Sequence, residues 1–285
     1  MQKNNWNFRK LHDRLQWPVA FVVAAMMLAG CEHEMEMDYH EAERLYVVEG
    51  AVTDENTQIR ITRTRPMTGS DTQNFIANAQ VVVSSDDGQR DTAIYASKGY
   101  YVSATRGVPG KEYRLEVNVG GQRFTSTSVM QPKPAMSSCR MVWKELMSMR
   151  LLFLDMKIAD FADQTNYYYV HVYRNGYSYR WTVERDIGNP GGDLQVLFAC
   201  CSDENLNKGS SQPADTDVMC EGDRIRIEVR AIDRRAYDYL SSMEQMPNSG
   251  TNPIPNFEGG CLGYFSAYSQ LTHNFVFHEK DVEEE

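Results

Sequence analysis

The sequence predicts a mainly β fold, in which a β-sandwich is followed by further β-rich chain with one short helix. Three observations predict it. Short runs that alternate apolar and polar residues recur along the chain, which is the period of a half-buried strand. Turn signatures such as Ser85-Asp86-Asp87-Gly88 and Val108-Pro109-Gly110 separate those runs at regular intervals. An Asn175-Gly176 pair between two β-rich runs is a strong two-residue hairpin signal.

The first sandwich is expected over residues 45–130. Leu45–Glu49 is apolar and β-branched, and Gly50 follows it. Gln58–Arg63 turns Ile59 and Ile61 inward and its bases outward. Ala79–Ser84 is a further strand, stopped by the turn at Ser85–Gly88. Lys98–Val102 leads to the turn at Val108–Gly110. Glu112–Asn118 alternates Tyr113, Leu115 and Val117, and Gly120-Gly121 turns the chain into Arg123–Thr127. Gln131-Pro132-Lys133-Pro134 then reads as a stiff linker over 131–138, because proline cannot join a strand ladder.

The second domain, 139–285, opens with Met149–Ile158, read as strand, with a helix as the alternative because the alternation is imperfect. In the hairpin, pairing Arg174 with Tyr177 sets Val172 opposite Tyr179, Val170 opposite Trp181 and Tyr168 opposite Val183. That face is apolar and is the expected core; a one-residue slip would mix the two faces. Leu194–Phe198 is a strand and Ser202–Thr216 a polar loop. Arg224–Ile232 turns Ile225, Ile227, Val229 and Ala231 inward, leaving Arg224, Arg226 and Arg230 on a solvated face. Asp233 caps a short helix to about Gln245, with Tyr237, Leu240 and Met243 on its inner side. Gly259–Gln270 and Asn274–Phe277 read as strands that close this domain, before an acidic tail.

The N-terminus is organised differently. Lys3, Arg9, Lys10 and Arg14, against the single acid Asp13, precede the apolar run Val19–Ala29. A basic flank before a run of about 7–15 apolar residues is the layout of an export signal, and the run is shorter than the roughly 20 residues that span a bilayer. It ends in Leu28-Ala29-Gly30-Cys31, which resembles the lipobox of bacterial lipoproteins. The resemblance implies cleavage after residue 30 and lipidation of Cys31, and therefore a membrane partner reached through the lipid. Residues 31–44 form an acidic tether. Within it Glu32, Glu34, Glu36 and Asp38 resemble the signal that sends Bacteroidetes-type lipoproteins to the outer face of the outer membrane. His33, His40 and Glu41 add metal-ligating types, but no helical or strand spacing fixes them in one geometry.

The whole chain has a formal charge of −10, and removing residues 1–30, with four bases and one acid, takes it to −13. Such a surface repels nucleic acid. Beyond Cys31 lie Cys139, Cys200, Cys201, Cys220 and Cys261. Export makes disulfides among them a possibility, with Cys220 the nearest candidate for the adjacent pair. Five is an odd number, so at least one has no partner within the chain. No Cys-x-x-Cys pair supports zinc, and Asp86, Asp87 and Asp91 lack the alternating oxygens of a calcium loop. No Gly-x-Ser-x-Gly, His-Glu-x-x-His, Walker or Gly-x-Gly-x-x-Gly motif is present, so no catalytic residue or cofactor is assigned.

The candidate binding face is the outer side of the hairpin: Tyr167, Tyr169, His171, Tyr173 and Arg180. Exposed aromatics stack on sugars or pack on proteins; the competing expectation is that the helix or the other domain covers them.

In order along the chain, the lipobox, Tyr46–Gly50, Asn78–Val83 with Asp87-Gly88, Gly99-Tyr100-Tyr101, Gly110–Leu115, Asn166-Tyr167-Tyr168, Tyr237-Asp238-Tyr239 and Leu262–Phe265 resemble a family of uncharacterised Bacteroidetes-type outer-membrane lipoproteins. Genes of that family often lie beside TonB-dependent receptors. The resemblance implies an immunoglobulin-like or transthyretin-like β-sandwich followed by a second β-rich domain, and an accessory role in nutrient capture or surface assembly. With the catalytic motifs absent, the expected role is a non-enzymatic binding component of TonB-dependent uptake, its ligand unidentified. A structural or adhesive surface subunit is the alternative.

Overall fold

The computed structural model describes residues 43–65, 74–159, 161, 164–187, 192–209, 217–249 and 251–285. The first half is an eight-stranded sheet: β1 (Tyr46–Val52), β2 (Thr57–Arg63), β3 (Gln80–Ser85), β4 (Arg90–Ser97), β5 (Tyr100–Ser103), β6 (Glu112–Val119), β7 (Gln122–Val129) and one strand from far down the chain, β14 (Leu262–Ala267). Their order is β14-β1-β2-β5-β4-β3-β6-β7. The sheet folds back on itself into a sandwich, so that its two end strands meet. There the Ala267 N–H donates to Ser128 Oγ at 2.8 Å, and Thr125 and Glu258 exchange backbone hydrogen bonds. The inward set expected from the alternation forms the core: Ile59, Ile61, Tyr113, Leu115 and Val117 are buried around Val48, Tyr101, Phe124 and Phe265.

The second sandwich pairs two four-stranded sheets. One contains β10 (Tyr167–Arg174), β11 (Tyr177–Arg185), β13 (Arg224–Ile232) and β15 (Ser269–Val276), in the order β11-β10-β13-β15. The other contains β8 (Ala135–Leu146), β9 (Met149–Ala159), β12 (Asp193–Ser202) and β16 (Glu283–Glu284), in the order β12-β9-β8-β16. Tyr168, Val170, Val172, Ile225, Ile227 and Val229 of the first meet Leu152, Leu154, Met156, Val196 and Phe198 of the second. The Met149–Ile158 run is thus a strand. Its imperfect alternation has a cause in Asp155, a carboxylate only 1% exposed. Arg140 (3.0 Å) and Gln195 (2.8 Å) donate to it. Burial pushes Asp155 upward, and those hydrogen bonds outweigh burial and leave its pKa below the ordinary value.

The chain's division differs from the sequence expectation in two places. The linker is shorter than 131–138, because β8 already begins at Ala135. The run Gly259–Gln270 does not close the second domain as one strand. Its first part, β14, pairs parallel with β1, with Val47 opposite Leu262 and Val52 opposite Ala267. Tyr268 alone then separates it from β15 in the second sandwich. At Gly263 (φ +98°) an added Cβ would lie 2.0 Å from the Val48 carbonyl oxygen, so β14 can approach β1 this closely only with glycine there.

The helix α1 (Arg234–Ser249) follows β13. Its cap is the expected one: Asp233 Oδ1 accepts from the Ala236 N–H at 2.9 Å. The other carboxylate oxygen accepts from the Val129 N–H at the end of β7, tying α1 to the first sandwich. Ala236 and Leu240 of α1 are buried against Val183, Ile232 and Tyr268, with Tyr237, Tyr239 and Met243 packed beside them. The acidic tail is built into the fold: Glu283 and Glu284 pair parallel with Val142 and Trp143, and Arg140 binds Glu283 at 2.6 Å.

Candidate binding surface

Alternation along β10 sends Tyr168, Val170 and Val172 into the core and Tyr167, Tyr169, His171 and Tyr173 to the opposite face. Antiparallel pairing with β13 sets Tyr169 opposite Arg230, His171 opposite Glu228 and Tyr173 opposite Arg226. The arginine planes lie on the rings: Arg226 Cζ is 4.1 Å from the Tyr173 centroid, and Arg230 Cζ is 5.3 Å from that of Tyr169 and 4.8 Å from that of Tyr268. Glu228 lies between the two, 3.4 Å from Arg226 and 2.8 Å from Arg230. The bases of β13 are therefore not simply a solvated face. Burial opposes the Arg230 charge; Tyr268, Tyr264 and Glu228 outweigh it and hold its pKa above the ordinary value.

His171 stacks on Tyr173 with centroids 4.0 Å apart. Its Nδ1 is 3.1 Å from the Tyr169 hydroxyl and its Nε2 2.7 Å from Ser178 Oγ. Burial and the two nearby guanidiniums push its pKa down to about 4, so the ring is neutral at pH 7.

The hairpin turn is formed as Asn175-Gly176 requires, with φ +52° and +87°. The register beyond it is not the one expected. Arg174 pairs with Tyr177 and Tyr173 with Ser178, but Val172 then pairs with Arg180, His171 with Trp181 and Tyr169 with Val183. Tyr179 is the extra residue of a β-bulge. β11 is an edge strand, and the bulge bends it toward the opposite sheet, where the Tyr179 hydroxyl donates to the Cys200 carbonyl at 2.7 Å. One inserted residue exchanges the faces, so Trp181 and Val183 leave the core. Trp181 joins the outer face, 5.9 Å from Tyr169. Arg180 leaves that face: it stacks on Tyr179, and its Nε donates to the Ala199 carbonyl at 3.1 Å.

The helix covers only one end of the strip. Tyr167 packs against Tyr237 with centroids 4.9 Å apart, and Val183 lies under α1. His171, Tyr173, Trp181 and Arg226 remain half-buried or exposed, a rigid aromatic and guanidinium surface in which every charge has a neighbour. The fold also brings Glu184 and Glu244 together on either side of Thr182. Burial raises both pKa values, and no sequence spacing announces the pair.

Cys139, Cys200, Cys201 and Cys261 are unbridged thiols, so the disulfides that export would allow are not formed among them. Burial pushes them up to about 11 for Cys139 and Cys201 and about 12 for Cys200 and Cys261, which makes them poor nucleophiles. Cys220 sits in a turn with its N–H on Asp223. Leu28, Ala29, Gly30, Cys31 and the acidic residues Glu32, Glu34, Glu36 and Asp38 lie outside the described residues. Among the described residues no group of three His, Cys, Asp or Glu side chains could hold a metal ion, and no helix is long and apolar enough to cross a membrane.

Fold and surface together define a mainly β protein of two sandwiches with an aromatic, arginine-lined strip on the second. The chain belongs to the family described as Domain of unknown function (DUF4249), whose model matches residues 32–274. No protein of curated function matches the chain. Among solved structures, a two fibronectin type-III domain segment from chicken tenascin is similar at 9% identity and a TM-score of 0.23, covering 82% of this chain and all of that one.

Proposed function

We propose that this chain is a surface lipoprotein of the outer membrane that acts by binding, as an accessory of a TonB-dependent uptake receptor. The observation that carries the binding reading is the strip of Tyr173, His171, Trp181 and Arg226, because aromatics and arginine held rigid on a surface are the residue types that dominate protein interfaces. The lipobox at Leu28–Cys31 supports the anchor, and the acidic residues after it support display on the outer face.

Two measurements test this reading. Mass spectrometry of the native protein is expected to find acyl chains on an N-terminal Cys31, and Cys31→Ala to release the protein from membranes. Mild detergent extraction of the outer membrane is expected to recover the protein with a receptor, and Trp181→Ala with Arg226→Ala to lose that receptor. Recovery alone, or as a homopolymer, would overturn the accessory role; the homopolymer would favour a structural subunit.

A further inference from the structure

The first sandwich carries a second surface of different construction. On the outer face of its sheet four residues from four adjacent strands stand in one cross-strand row. Tyr264 of β14 is opposite Glu49 of β1, Glu49 is opposite Arg60 of β2, and Arg60 is opposite Tyr100 of β5. Three strand spacings make the row about 14 Å long. It lines a cleft of about 260 Å³, which Gly50, Ala51 and Gln58 also line.

Glu49 and Arg60 face each other but are not joined. Among the described residues neither side chain has a hydrogen bond or an ion pair, and Arg60 Nε is buried with no acceptor. What holds Arg60 is aromatic: its Cζ is 5.2 Å from the Tyr100 centroid and 5.6 Å from that of Phe75. Ring contact satisfies the guanidinium's faces and leaves its N–H edge unused. Among the described residues the terminal guanidinium nitrogens have no partner, and they are not buried, so they stay open to an acceptor that enters the cleft. Tyr264 is fixed at the other end by stacking on Tyr239 of α1, with centroids 5.2 Å apart.

We propose that this cleft binds a small zwitterion of the α-amino-acid class, its carboxylate on the Arg60 guanidinium and its ammonium on the Glu49 carboxylate. Arginine's fork suits a carboxylate, and three ammonium protons suit a carboxylate acceptor. An anion would meet the like charge of Glu49, and a cation that of Arg60. The volume lies below the roughly 300–1,000 Å³ of drug-sized pockets, which fits an amino acid and is small for an oligosaccharide. The site is separate from the strip on the second sandwich and does not depend on the role proposed for it.

Calorimetric titration of the purified full chain with glycine, L-leucine and L-phenylalanine tests the proposal. At least one is expected to bind. The N-acetyl and amide derivatives of that ligand are each expected to bind about tenfold more weakly or worse, since each deletes one charge. Arg60→Gln and Glu49→Gln are expected to weaken the parent ligand by a similar factor, and the exchange Glu49→Arg with Arg60→Glu to restore part of the loss. Arg226→Gln, on the strip, is expected to change nothing. No binding by any of the three amino acids, equal binding of the blocked derivatives, or binding of maltose that survives Arg60→Gln would each overturn it.

Discussion

On the outer face of the second sandwich, Glu228 lies between Arg226 and Arg230, and both arginines rest on tyrosine rings. On the outer face of the first, Glu49 and Arg60 stand opposite each other across two strands and make no such pair. The residue types are the same, and both sets lie on half-covered sheet faces. The difference is in how their hydrogen-bonding capacity is used. The Arg226–Glu228–Arg230 cluster spends it internally, so it holds the sheet and offers a fixed outline. The Glu49–Arg60 pair leaves it open, so it can respond to something that arrives. Charge alone does not separate a structural face from a binding one; satisfaction does.

The largest effect is expected at Gly263→Ala. Its Cβ would collide with the Val48 backbone, detach β14 and remove the Tyr264 end of the cleft. A loss of about 4 kcal/mol or more in urea unfolding is expected, at the extreme of single substitutions. Next is Glu228→Gln, which leaves the half-buried Arg230 without its carboxylate. We expect a loss of about 2–3 kcal/mol by the same measurement.

A smaller effect follows pH. The folded pKa of His171 lies near 4, and an unfolded histidine titrates near the ordinary 6.5. Between those values the unfolded chain binds the proton and the folded chain does not. Stability therefore falls as pH drops from about 6.5 toward 4, by at most about 1.4 kcal/mol per pH unit. His171→Gln is expected to flatten that slope in denaturation curves taken across this window. The Asp155 contribution is lost at lower pH, below the ordinary carboxylate range, so the two separate. The smallest effect is expected at the cleft: Glu49→Gln and Arg60→Gln should each shift stability by no more than about 0.5 kcal/mol. A large loss at either would show that the pair serves the fold, and the contrast between the two faces would collapse.

Much of the fold was legible because it rests on local alternation. The inward residues of β2, β6, β10 and β13, the Asn175-Gly176 turn and the Asp233 cap all follow from short-range pattern. What escaped was set at long range. The bulge at Tyr179 is produced by an edge strand reaching Cys200 in the other sheet, and alternation within the hairpin carries no trace of that pull. It cost the strip Arg180 and brought in Trp181. The return of β14 to β1 was missed for the same reason, although a glycine inside an apolar run, Gly263, is the local mark of close backbone approach. β8, whose first four residues fall in the expected linker, and β4 were not foreseen: β4 has little apolar alternation to offer, with Ala93 its single buried residue. The cleft was invisible because Glu49, Arg60, Tyr100 and Tyr264 meet only across four strands.

The route of the chain through Tyr268 bears on the order of folding. The β1 edge, at residues 46–52, can be covered only when residues 262–267 have emerged. Until then an N-terminal sandwich that looks ready to fold has an unpaired edge, the kind of surface on which strands from other chains assemble. The contact closes a loop of some two hundred residues, and contacts of such separation slow folding. Synthesis from the N-terminus therefore cannot complete this protein one sandwich at a time; the first sandwich closes only after most strands of the second have been made.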